Sequence, residues 1–115
     1  MYNYFQKGGM IMVDITLICS SGMSTSILMD NMKEVAKQLE IEINIRAIAE
    51  QDFKDYCEFT DIALIAPQIV FKIKKIREKY EGNYLISTID SLDYGMMDGK
   101  NILLKALKVF YEKSS

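Results

Sequence analysis

The segment Cys19-Ser20-Ser21-Gly22-Met23-Ser24-Thr25-Ser26 gathers the groups in this chain best able to do chemistry. A thiol opens it, and small, hydroxylic residues and one glycine follow. The apolar run Val13 to Ile18 leads in, and helical spacing leads out. A strand–loop–helix junction of this composition turns backbone N–H groups toward one point, with a helix N-terminus behind them. Those are the elements of an anion site. Cys19 stands where the anion would sit, so the helix end and the amides should favour its thiolate. A nucleophile inside a phosphate cradle implies phosphoryl transfer through cysteine. Gly22 lets the loop backbone turn or approach closely, and the hydroxyls of Ser20, Ser21, Ser24, Thr25 and Ser26 add donors.

Three other readings compete. Free cysteines are commonly buried and inert, so Cys19 could be a structural residue before a serine-rich turn. A small anion-binding regulatory module would use the same loop without catalysis. A cysteine-dependent phosphatase would use a C-x5-R loop, but the sixth position after Cys19 is Thr25, and the loop holds no Arg or Lys. It therefore lacks the guanidinium fork that grips phosphate bidentately.

The elements that must position this loop follow from hydrophobic periodicity. Val13 to Ile18 reads as the first strand. Leu28, Met32, Val35, Ala36 and Leu39 recur at helical spacing and should face a sheet. Ser24, Thr25 or Ser26 can cap that helix. Glu42 to Ile48 alternates, which predicts an edge strand with one exposed face. Glu50 to Phe59 reads as a short helical stretch, with Phe53, Tyr56 and a buried, inert Cys57 on one side. Asp61 to Ala66 is nearly all apolar, hence a central strand. Pro67 is placed at a first helical position, and Ile69, Val70, Ile73, Ile76 and Tyr80 form the buried face behind it. The lysines and arginine of that helix read as a solvated face. Tyr84 to Ile89 is the fourth strand, Asp90 to Asp98 a loop, and a last helix begins at Gly99 or Lys100 with Leu103, Ala106, Leu107 and Phe110 inward.

This alternation predicts an α/β fold, an open four-stranded parallel sheet with helices on both faces. Right-handed crossovers and an edge second strand give the order 2-1-3-4. The architecture is flavodoxin-like; a thioredoxin-like domain would need antiparallel strands and usually a second cysteine near the first. The order reverses between strands one and three, opening a crevice at their C-terminal ends. Cys19 and Pro67-Gln68 both fall there. Residues 1–12 read as a flexible leader and 13–113 as one domain.

Composition narrows the function. A net charge of −2 argues against a general nucleic-acid binder. No apolar run approaches the length of a membrane span. Two distant cysteines without C-x-x-C suit free thiols in a reducing, cytoplasmic setting. The chain has no histidine, which excludes a histidine triad or a histidine-containing zinc site within it. Neither a metal nor a cofactor is expected.

The loop from Cys19 to Ser26, with Leu64-Ile65-Ala66-Pro67-Gln68-Ile69 and Ile89-Asp90-Ser91-Leu92-Asp93-Tyr94-Gly95 through Asp98-Gly99, resembles three blocks of one family in the same order. That family is the enzyme IIB component of the lactose/cellobiose/chitobiose class of bacterial phosphoenolpyruvate-dependent sugar phosphotransferase systems. The likeness runs from about Ile15 to Phe110. It implies a fold shared with low-molecular-weight phosphatases. It also implies that Cys19 takes phosphate from a phosphohistidine on enzyme IIA and passes it to a β-linked disaccharide held by the membrane component, enzyme IIC. The loop residues Ser20 to Ser26 would bind the phosphate. Pro67, Gln68, Asp90 and Tyr94 are candidate partner contacts. Asp93 and Met96-Met97 read as ordinary variation. A soluble monomeric shuttle with an open face around Cys19 is expected, and the identity of the sugar is not encoded in the chain.

Overall fold

The computed structural model describes residues 12–20 and 25–114. In chain order these form β1 (Met12–Cys19), α1 (Thr25–Gln38), β2 (Glu42–Ala49), a 3-10 helix (Glu50–Asp55), β3 (Ile62–Ile65), a second 3-10 helix (Pro67–Lys72), α2 (Ile73–Lys79), β4 (Leu85–Thr88), α3 (Ser91–Gly95) and α4 (Gly99–Ser114). The leader read over 1–12 lies outside the described residues except for Met12, which opens β1.

The sheet order is β2-β1-β3-β4, every pair is parallel, and the predicted order holds. The register pairs Cys19 with Ala49 on one side and Ile18 with Ile65 on the other. β1 and β3 are central, so their side chains are shielded on both faces. Val13, Ile15, Leu17, Ile62 and Ile65 are completely buried, and each such side chain contributes about 1.5–3 kcal/mol by leaving water. Thr16, polar and central, shares a 2.8 Å hydrogen bond with Thr60 and accepts another from Arg46 at 2.7 Å. β2 keeps the alternation of an edge strand, with Glu42 and Asn44 exposed and Ile45 buried.

α1 packs on α4, with Leu28, Met32 and Ala36 meeting Leu103, Ala106, Leu107 and Phe110 in a common core. Phe53 of the first 3-10 helix stands edge-on to Tyr80 and Tyr84, at 5.5 and 4.9 Å between ring centroids. Cys57 is buried beside it.

Three expectations need correction. Leu39 is exposed because α1 ends at Gln38 and the chain turns away through Glu40 at φ 57°, a turn closed by Ile41 N–H donating to the Ala36 carbonyl at 2.9 Å. Val70 is exposed because no single helical phase runs on from Pro67. The segment winds as a 3-10 helix with Ile69 at φ −127°, and the α-helix starts only at Ile73. Ile69, Ile76 and Tyr80 keep the buried side, while Phe71 projects fully. The stretch Asp90 to Asp98 is not a plain loop, since it contains α3. Asp93 within it is buried.

Candidate functional site

Cys19 is the last residue of β1. Hydrogen bonding across β1, β3 and β4 brings three strand ends to the same edge. Ala66 N–H donates to the Ile18 carbonyl at 3.0 Å, so Pro67 starts its 3-10 helix directly beside the end of β1. Ile89 N–H donates to the Ile65 carbonyl at 2.9 Å, which delivers Asp90 and α3 to that edge. Thr25, the first residue of α1, is half-buried, and Ser20 and Ser26 are described as well. Ser21, Gly22, Met23 and Ser24 lie outside the described residues.

The Cys19 environment differs from the expected one in two ways. The residue is only 5% exposed, not open. Burial pushes its thiol upward, and the hydrogen bond from Tyr94 pulls it back only in part. The neutral thiol is therefore the resting form at pH 7, because desolvation penalises the thiolate more than Tyr94 favours it. Tyr94 answers in kind. Burial, the sulfur's charge and their interaction push the phenol up to about 12, so it keeps its proton at neutral pH. Among the described residues, no Lys or Arg figures among the influences on the thiol.

Of the four candidate contacts, Tyr94 is the one whose side chain influences the thiol. Pro67 is adjacent through the strand register, Gln68 is exposed, and Asp90 is occupied as a helix cap. The Asp90 carboxylate accepts from Leu92 N–H at 2.9 Å and Asp93 N–H at 3.1 Å. The cap orients α3, and α3 presents Tyr94. Sequence reasoning missed this single-turn helix, although Asp90-Ser91-Leu92-Asp93 has the spacing of an N-cap with an acid three residues on. Beyond α3, Asp98 caps α4 by accepting from Asn101 N–H at 3.0 Å, and Asn31 of α1 donates to the Met97 carbonyl at 2.9 Å.

Cys19 thus ends a strand at the point where the parallel sheet reverses its order, the place at which open α/β sheets bind their ligands. Residues 14–105 match the family model described as PTS system, Lactose/Cellobiose specific IIB subunit, and the chain belongs to that family. Relatives include the oligo-beta-mannoside-specific EIIB component of Bacillus subtilis (strain 168). It is 39% identical over 99 residues, covering 85% of this chain and 96% of the relative. The cellobiose-specific EIIB component of Lactococcus lactis subsp. lactis (strain IL1403) is 32% identical, covering 80% and 91%. The solution structure of the cellobiose-specific IIB component from Borrelia burgdorferi superposes with a TM-score of 0.74 at 36% identity, over 90% of this chain and 95% of that one. The lactose-specific IIB domain of Streptococcus pneumoniae, at 16% identity, shares the fold with a TM-score of 0.70 over 85% and 97%. Members of the family are phosphotransferases that work with IIA and IIC components in sugar uptake. Among the described residues no helix is long and apolar enough to cross a membrane.

Proposed function

We propose that Cys19 is the phosphoryl carrier of this IIB component, working in the cytoplasm between phosphohistidine on enzyme IIA and a β-linked disaccharide held by enzyme IIC. The observation that carries the reading is the position of Cys19. It ends β1, one of the two central strands, at the switch point of the sheet, with the N-terminus of α1 six residues on.

In the first step the Cys19 sulfur attacks phosphorus in line. The S–P bond forms and the P–N bond to the donor histidine breaks. The thiol proton passes to the imidazole nitrogen that leaves. A neutral resting thiol suits this exchange, because the leaving group is itself the base and this chain has no histidine of its own. Charge on the transferring group spreads over its equatorial oxygens, so catalysis is positioning and electrostatic stabilisation. The amides and hydroxyls of Ser20 to Ser26 would supply it. In the second step a sugar hydroxyl attacks the phosphorus, the S–P bond breaks and the thiol is restored. Because Cys19 rests under cover, docking of either partner must open the site. Pro67, Gln68 and the α3 turn are the surfaces that a partner would meet first.

Mixing with phosphorylated enzyme IIA should add the mass of one phosphoryl group, and Cys19→Ser should remove that gain while circular dichroism stays unchanged. A gain that survives Cys19→Ser would overturn the assignment. Turnover of aryl phosphates at about 1 s⁻¹ or faster would replace it with a phosphatase.

A further inference from the structure

We infer that Phe71 and the basic face of α2 form a docking surface for an anionic lipid bilayer, which holds the carrier at the membrane while its Cys19 edge stays available. The use of this contact rests on Cys19 being the carrier for a membrane component; the contact itself does not. α2 turns Ile76 and Tyr80 into the core and half-buries Ile73, so Lys74, Lys75, Arg77 and Lys79 project outward. Residues 71–79 carry five of the chain's 14 lysines and arginines but one of its 16 acids, Glu78. The rest of the chain is net acidic, so positive charge is concentrated on this one face. Among the described residues, only Lys79 of the five meets an acid, Glu50 at 4.0 Å. That carboxylate is itself largely covered and also accepts from the Tyr80 hydroxyl. Beside the lysines stands Phe71, at 76% the most exposed large hydrophobic side chain among the described residues, with Val70 next to it at 40%.

The chemistry of this face fits lipid better than protein. Four of its five cations are lysines, and protein interfaces favour arginine and are depleted in lysine. A lysine is a compact charge on a flexible stem, suited to headgroups that move laterally, whereas a fixed carboxylate partner is better met by a guanidinium fork. An exposed ring beside the charges suits the headgroup layer, where aromatic side chains collect, and clusters of four or more basic residues are drawn to anionic leaflets. The acidic remainder is repelled by the same surface, so the asymmetry of charge also orients the molecule. The crossovers β1 to β2 and β3 to β4 run in opposite directions across the sheet, which puts α2 on the face opposite α1 and α4. Pro67 starts this segment beside the end of β1, and α2 leads back toward the start of β4. A bilayer against α2 therefore lies along the flank of the molecule, next to the Cys19 edge rather than over the strand ends.

The test is co-sedimentation of the full chain with vesicles of phosphatidylcholine alone and with vesicles in which about a third of the lipid is phosphatidylglycerol. The wild type should bind the anionic vesicles and not the neutral ones, and raising the salt should release it, because exposed charges are screened. Lys74→Gln and Lys75→Gln should each weaken partition about fivefold, the loss expected for one basic residue at an anionic surface. Phe71→Ser should weaken it about three- to tenfold by taking the ring out of the interface. A paired Lys108→Gln and Lys113→Gln variant removes two exposed charges from α4, on the other face of the sheet, and should leave partition unchanged. All these positions are exposed, and circular dichroism confirms that each variant folds. No binding to anionic vesicles, equal binding to neutral ones, partition indifferent to Lys74, Lys75 and Phe71, or an equal loss in the α4 pair would overturn the inference. Weakened binding of enzyme IIA by Lys74→Gln, with no vesicle binding, would assign the face to a protein instead. Phosphoryl uptake from enzyme IIA is measured in parallel. If the wild type takes up none, the carrier reading fails, while the vesicles still decide whether this face meets lipid.

Discussion

Cys19 sits between two opposed influences. Burial holds its proton on, and the Tyr94 hydroxyl favours its loss. A carrier benefits from this balance, because the thiol is inert until a partner brings both phosphorus and a proton acceptor. Position 25 bears on what happens afterwards. A phosphatase loop would hold arginine there, and its guanidinium would stabilise the transition state for attack by water as readily as for transfer. Thr25, half-buried at the start of α1, offers only a hydroxyl. Thr25→Arg is expected to shorten the lifetime of the phosphocysteine by about tenfold. That is less than a fully preorganised donor achieves, because no general acid accompanies it. Intact mass followed over time after removal of enzyme IIA measures this. An unchanged lifetime in a folded variant would show that the missing arginine does not protect the intermediate.

At the scale of elements, the corner between α3 and α4 bears most on the site. Gly99 opens α4 against α1 so closely that a Cβ there would lie 2.7 Å from backbone atoms of Asn31 and Met32. Backbone cannot yield as a flexible side chain can. Gly99→Ala should therefore force α4 outward and cost about 1–3 kcal/mol, the usual range for overpacking. Urea unfolding would read the loss, and an unchanged midpoint would mean that the corner adapts freely. The same corner explains what was hidden in the sequence here. Strands and long helices announce themselves by period, as Val13 to Ile18 and Leu103 to Phe110 do. α3 is too short to show a period, and its one aliphatic residue, Leu92, faces water. It exists because Asp90 caps it and α4 clamps it. Val70 misled for a related reason, since the 3-10 winding after Pro67 breaks the phase that a continuous helix would keep.

Over the whole molecule, several buried acids are held protonated by the fold. Burial raises Tyr80, Tyr84 and Cys19, and it raises Tyr94 to about 12. The sign of the linkage follows. Each group binds its proton more tightly in the native state than in the unfolded chain. Its contribution to stability is complete below the unfolded value, about 8.5 for cysteine and about 10 for tyrosine. That contribution is lost as pH rises toward the folded value. The protein should thus lose stability steadily above about pH 9, and urea midpoints measured across the alkaline range would show it. Tyrosinate absorbance should lag behind that of free tyrosine until unfolding releases it. Urea midpoints flat to pH 11 would contradict the burial of these groups.

The parallel order β2-β1-β3-β4, its crevice and the strand-end cysteine were all legible in the chain, because apolar period, turn residues and crossover handedness are local or nearly local constraints. What only tertiary structure decided is the state of the thiol and the company it keeps. Tyr94 lies 75 residues beyond Cys19 and influences its thiol from a helix that Asp90 caps and Asp93 ties to α4. Local reasoning gave a thiolate favoured by a helix end. The fold set a buried, protonated thiol, because desolvation depends on what packs over a residue, and no local pattern carries that information.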